Sequence, residues 1–248
     1  MHRTRLHSRS SGNLRSLLSD LAALDFGEPM VGAHRTAILR AVRELVLLIE
    51  GNSMRRQGHG RRTADLAHRI GLAVGLHADE LMDLTLAALV HDIGLLTLPT
   101  HLLDETRELS AAEFALYQSH PRAGAELLEP ISFLRRAALW IAHHHERWDG
   151  CGYPYGLRGT FIPLGARILA VADTFDAFLY PATSAVDTPP MSEPHTRISR
   201  TNGPDLATAL GLLRIVAGSQ LDPALVNRCT SIVSCLVVTG DIASAPNG

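Results

Sequence analysis

The sequence predicts an all-α protein on three observations. Aromatic residues make up only 5% of the 248 residues, a poor supply for the cross-strand pairs of a β-sandwich. Ala, Leu and Arg, all good helix formers, recur in long runs. Apolar residues in those runs repeat every three or four positions, and no series of alternating strands interrupts them. A chain of this length, 46% hydrophobic and 19% charged, buries roughly 70 to 75% of its unfolded surface and needs neither disulfide nor metal merely to fold. A metal found here would serve chemistry.

The elements follow in chain order. The basic start, Met1 to Leu6, reads as a solvated tail. Ile38, Val42, Leu45 and Ile49 share one face of a helix over about 33–49, with Arg35, Arg40 and Arg43 off that face, and Gly51 and Asn52 stop it. Leu66, Ile70 and Val74 predict a second helix from His59. A third starts near Ala78, carries Leu81, Leu84, Ala88 and Leu89 into His91 and Asp92, and ends at Gly94. Ser110 with Glu113 forms a capping box, and Pro121 suits a first helical position beside His120. A further helix is expected over about 131–145. Four glycines and a proline make 149–159 a loop, after which Pro163 opens a helix through Asp173 to about Phe178. Pro, Ser and Thr dominate 181–204, a surface loop. Helices over 205–216 and 223–237, the second capped by Asp222, close the chain. The expected division is a tail and helical extension over 1–50, the main domain over 51–238 and a flexible tail over 239–248.

Charge narrows the function classes. All 23 basic residues are Arg, set against 25 acidic ones, for a formal net charge of −2. That balance gives no footprint for a nucleic acid polymer or an anionic membrane, and the lack of lysine excludes a lysine nucleophile or phosphate clamp. Cys151, Cys229 and Cys235 are odd in number and form no Cys-x-x-Cys pair. With no apolar stretch of 18 residues free of charge, the expectation is a soluble cytoplasmic protein.

The 13 histidines are placed more tellingly. His59, His91, His120, His144 and His145, with Asp92 and Asp173, fall at predicted helix ends at intervals of 24 to 32 residues. Each interval is one helical excursion out and back, so these ends can converge on one rim of a bundle. Neighbouring helical positions diverge by about 100°. The pairs His91-Asp92 and His144-His145 therefore suit a carboxylate bridging two ions and imidazoles serving different ions. Imidazole and carboxylate without thiolate point away from structural zinc and towards Fe, Mn or a similar divalent ion. A single histidine at a helix end is usually a capping or surface residue, and spacing alone leaves both readings open.

The stretches His91-Asp92-Ile93-Gly94, His120-Pro121 with Gly124, His144-His145-Glu146-Arg147 with Asp149-Gly150, and Gly152-Tyr153-Pro154 resemble the HD-GYP family of bacterial phosphodiesterases. Agreement continues at Gly156-Leu157-Arg158-Gly159, Ile162-Pro163-Leu164, Ala172-Asp173 with Asp176-Ala177, and Asp222-Pro223, so the likeness covers about 59–228. It implies an HD-domain helical bundle whose metal centre lies at converging helix ends. It also implies hydrolysis of cyclic di-GMP to the linear dinucleotide and, in some members, onward to GMP. The ligands it implies are His59, His91, Asp92 as bridge, His120, His144, His145 and Asp173, with His91 and Asp92 the catalytic pair. His143 falls outside the frame. Gly152, Tyr153, Pro154 and Arg158 would shape a loop facing substrate or a partner such as a diguanylate cyclase. Two divalent ions can activate a water and neutralise charge on the phosphoryl oxygens, so no protein nucleophile is required.

The sequence departs from the family pattern in three places. Leu95 stands where the family has a phosphate-gripping Lys, and Arg55 where members with a third metal have Glu, which leaves a two-metal site, Fe or Mn. Phe178-Leu179-Tyr180 replaces an Arg-Pro-Tyr motif, and Arg197 or Arg200 lies nearest the missing arginine's place. The leading expectation is a metal-dependent cyclic di-GMP phosphodiesterase. The alternatives are a degenerate signalling scaffold and a hydrolase of another phosphoester.

Overall fold

The computed structural model describes residues 2–24, 32–51, 57–103, 109–180 and 206–239. Within them the regular elements are α1 (His2–Ala23), α2 (Gly32–Glu50), α3 (His59–Ala73), α4 (Ala78–Val90), α5 (Ala111–Tyr117), α6 (His120–Leu128), α7 (Arg135–Ala142), α8 (Leu164–Leu179), α9 (Leu206–Ile215) and α10 (Pro223–Thr239). Short 3₁₀ segments occupy His91–Thr97, Thr100–Leu103, Ser132–Leu134 and Gly159–Phe161. An isolated Ala217–Leu221 bridge is the one β-type pairing among the described residues, and the all-α class stands. Arg55, Arg197, Arg200 and the stretch 181–204 lie outside the described residues. No described helix is long and apolar enough to cross a membrane.

Helix α3 is the centre of the packing, lying against α4 and α8 and touched by α10, while α7 packs on α4, α6 and α8. The faces turned inward are those the periodicity marks: Ile38, Val42, Leu45 and Ile49 from α2, Leu66 and Ile70 from α3, Leu84 and Ala88 from α4. Asp222 caps α10 by accepting from Ala224 N at 2.9 Å, and it pairs with Arg167 of α8 at 2.6 Å. Ser110 and Glu113 form the expected box on α5, Ser110 N donating to Glu113 Oε2 at 2.9 Å.

Three boundaries differ from expectation. The N-terminal stretch is helical from His2, and Leu14 and Leu21, with Leu17 and Leu18 partly covered, join the core; a 3-4-7 apolar spacing outweighs the polar residues around it. Helix α4 stops at Val90, and His91–Thr97 tightens to 3₁₀ geometry. The cause is close approach, because a Cβ on Gly94 would run into the backbone carbonyl of His120. Helix α7 ends at Ala142, its last bonds tightening to a three-residue step, His143 N to Trp140 O at 3.2 Å and His144 N to Ile141 O at 3.4 Å. His143 to His145 therefore lie in a turn beyond the helix.

Gly165 brings α8 against α7, since a Cβ there would enter the Trp140 ring. Gly165→Ala should lower the unfolding free energy by about 1 to 3 kcal/mol through overpacking. Gly211→Ala in α9, whose Cβ would meet nothing within 4 Å, should be neutral or stabilising by up to about 1 kcal/mol. Urea titration followed by circular dichroism compares the two.

Candidate metal centre

Four histidines of the cluster, His59, His91, His120 and His144, are each aimed by a contact on Nδ1. His91 Nδ1 donates to Ala88 O at 2.9 Å, His120 Nδ1 to Tyr117 O at 2.9 Å and His144 Nδ1 to Ile141 O at 2.6 Å. A carbonyl can only accept, so Nδ1 carries the proton in all three and Nε2 keeps its lone pair for the interior. His59 is aimed through a side chain instead. Its Nδ1 donates to Asp176 Oδ2 at 2.7 Å, and Asp176 is held in turn by Arg62, Nε at 2.6 Å and Nη2 at 2.9 Å. The Arg62 guanidinium lies over the Tyr180 ring, 4.1 Å from its centroid.

The inward atoms converge. His59 Nε2 lies 3.2 Å from His91 Nε2 and 3.2 Å from Asp173 Oδ1, and His91 Nε2 lies 3.6 Å from the same oxygen. Atoms about 2.1 Å from one cation stand roughly 3 to 3.4 Å apart, so this triad has ligand-like spacing. Asp92 faces both sides, Oδ2 at 3.7 Å from His91 Nε2 and Oδ1 at 3.8 Å from His120 Nε2. Three overlapping groups have donor atoms within 4.8 Å of one another: His59-His91-Asp173, His91-Asp92-His144 and His120-His144-His145. His91, His120 and His144 are at most 2% exposed, and His144 Nε2 is buried with no hydrogen-bond partner among the described residues. A buried imidazole nitrogen left in that state needs a ligand, and the donor set suits divalent cations.

Electrostatics agree. Burial pulls the His59 pKa down, yet hydrogen bonds to Asp173 and Asp176 outweigh it and raise the pKa to about 10. Burial alone would raise Asp173, but the hydrogen bonds and charges of His59 and His91 hold it well below the usual carboxylate range. His144 is pushed well below the ordinary imidazole value, first by burial and then by His145, His91 and His120. The Asp173 side of the centre thus attracts positive charge, and the His144 side offers neutral nitrogen.

The Gly-Tyr-Pro loop covers the centre. Tyr153 stacks on His145 with centroids 5.0 Å apart, and its N–H reaches His145 O at 3.2 Å. Glu146, 3% exposed, accepts from Tyr155 N at 2.7 Å and Leu157 N at 2.9 Å and so ties the loop down. Burial, with Tyr117, Asp173 and Asp92 nearby, keeps the Tyr153 phenol protonated well above its ordinary value. Trp148 N and Asp149 N pair with Gln220 O and Ser219 O, fastening the preceding segment to the α9–α10 turn. Arg158 is exposed, its stem over Gly150. His143, outside the family frame, stacks on Tyr155 instead.

Sequence reasoning missed Arg62, Asp176 and Glu146 as site-building residues. Asp176 was findable, lying one turn beyond Asp173 on the same helix face. Glu146 stands in the His144-His145-Glu146-Arg147 run that carries the family resemblance, whereas Arg62 has no comparable signal. Leu95 does not line an open phosphate site: it is 3% exposed in a small apolar cluster with Leu98 and Leu102.

A family model described as HD domain matches residues 45–189. The cyclic di-GMP phosphodiesterase response regulator RpfG of Xanthomonas campestris is 42% identical over 120 residues, 48% of this chain and 32% of that protein. The 3'3'-cGAMP-specific phosphodiesterase 1 of Vibrio cholerae is 30% identical over 165 residues, 66% of this chain and 38% of its own. The chain therefore spans about a third of the length of these relatives. Among solved structures, an HDG"Y"P protein of Bdellovibrio bacteriovorus superposes with a TM-score of 0.56 at 19% identity, over 92% of this chain and 72% of that one.

Glu146→Gln replaces one of the two oxygens that hold the loop with a donor facing a donor, which should cost about 1 to 3 kcal/mol as read from thermal melts. Leu95→Lys buries a charge in the Leu98-Leu102 cluster and should lower the melting temperature; an unchanged melt would show that this position opens out of the cluster.

Proposed function

The chain belongs to the HD domain family, and on that premise we propose that it is a metal-dependent phosphodiesterase that opens cyclic di-GMP to the linear dinucleotide and onward to GMP. The observation that supports the reading is the convergence of three overlapping donor groups, built around the buried His91, Asp92 and His144, with the His144 Nε2 atom left without a partner among the described residues. The residues that would hold two divalent ions, Fe or Mn, are His59, His91, Asp92, His120, His144, His145 and Asp173, Asp92 being the one whose oxygens face both His91 and His120. The functional unit is the 51–238 region.

Bound divalent ions supply Lewis-acid neutralisation of the phosphoryl oxygens and lower the pKa of water. The protein's own part is orientation. Backbone carbonyls and Asp176 hold the imidazole rings in one tautomer, so the ligand atoms need no reorganisation when substrate arrives. Tyr153, protonated and half-buried against His145, offers a hydroxyl to a non-bridging phosphate oxygen. Its loop closes one side against water. The same loop, with exposed Tyr155 and Arg158, is the face for a diguanylate cyclase or another signalling partner.

A second reading, hydrolysis of another cyclic dinucleotide such as 3'3'-cGAMP, is supported by the 30% identity to the 3'3'-cGAMP-specific phosphodiesterase 1 of Vibrio cholerae.

Protein loaded anaerobically with Fe or Mn should carry about two ions per chain by elemental analysis. It should convert cyclic di-GMP to pGpG or GMP on chromatography, with 3'3'-cGAMP run in parallel to decide between the two readings. Asp92→Ala should release most of the metal and reduce kcat/KM by about 100-fold or more. Full metal retention by Asp92→Ala would remove the bridge from the site; metal without turnover of either dinucleotide would leave a binding module.

A further inference from the structure

Glu50, the last residue of α2, has its two carboxylate oxygens in different states. Oε2 accepts from Gly58 N at 2.9 Å, pinning the residue that precedes His59 and α3. Oε1 is buried and has no hydrogen-bond partner among the described residues. Arg62, whose charge senses Glu50, is already committed to Asp176 and to Gln57 O. Glu50 lines a small cavity of about 10 Å³ together with Ile49, Gly60, Leu89, His59, His91 and Asp92. That is room for about one water molecule, and three residues of its wall are the proposed metal ligands.

A buried carboxylate oxygen without a partner is retained where water or a cation satisfies it. Glu50 belongs to none of the groups whose donor atoms lie within 4.8 Å of one another, so it stands one layer outside the ligands. We infer that Glu50 is a positioning residue of the metal centre: its Oε1 accepts a hydrogen bond from a single water held in this cavity against His59, His91 and Asp92, and its charge strengthens binding of the divalent ion there. This rests on the metal-centre reading above.

The inference is tested by titrating Mn²⁺ alone into the chelator-treated 248-residue chain by calorimetry, with thermal melts run with and without Mn²⁺. Glu50→Gln keeps an acceptor for Gly58 N but removes the charge. It should leave the metal-free melt unchanged or higher, weaken Mn²⁺ binding by about 10- to 100-fold, as lost outer partners of metal ligands do, and shrink the Mn²⁺-induced rise in melting temperature. Glu50→Met carries the same test if the amide variant does not fold. A variant that melts lower without metal, yet binds Mn²⁺ as the wild type does, would make Glu50 only an anchor for Gly58 and overturn the inference. Failure of the underlying reading looks different: wild type and Asp92→Ala would then bind Mn²⁺ equally or not at all, and the role of Glu50 would fall with it.

Discussion

The site depends on where three imidazole protons go. His91, His120 and His144 each return Nδ1–H to a backbone carbonyl three residues earlier, at 2.6 to 2.9 Å. The acceptor is part of the helix end or turn that carries the ring, so ring orientation is set locally and every Nε2 lone pair points inward. That pattern demands chain that turns tightly at the ligand. The 3₁₀ segment at His91–Thr97 and the three-residue closing bonds of α7 supply it at two of the sites.

His59 lacks such a carbonyl and takes a carboxylate instead, which couples α3 to α8. Asp176 accepts from His59 while Arg62 binds both its oxygens, so the charge that steadies His59 is itself neutralised. Asp176 is 5% exposed, and an unpaired carboxylate at that depth would be costly. The Arg62–Tyr180 contact extends this support to the end of α8. One helix face thus presents Asp173 to the interior and, one turn on, Asp176 to the ring opposite.

The covering loop is held by different means. Glu146 follows the His144-His145 pair directly, and its carboxylate takes two loop amides at once. Two of the candidate ligands and the anchor of the covering loop therefore share one short segment. The His91–Thr97 segment is held by apolar contact instead. Leu95, Leu98 and Leu102 close over one another, which gives the His91–Thr97 segment an apolar anchor where an open cationic site would have left it exposed.

How much was legible in advance follows from the range of the forces involved. Helix faces were readable because burying Ile38, Val42, Leu45 and Ile49 together requires a 3.6-residue period in the chain itself, and caps such as Ser110-Glu113 are local hydrogen bonds. The seven candidate ligands were readable as chemistry-bearing types at intervals of one helical excursion. Their convergence was not, since spacing along the chain sets no distance across it. Tertiary contact alone decided that Gly94 must abut His120 and so end α4 early, that Asp176 meets His59 across 117 residues of chain, and that Leu95 turns into a core. It also decided that Glu50, to the eye an ordinary acid at a helix end, faces the ligands through a space for one water. Local sequence determined which residues could build helices and bind metal; long-range packing determined which of them meet, because only closure of the core brings distant side chains within the few ångströms over which hydrogen bonds and coordination act.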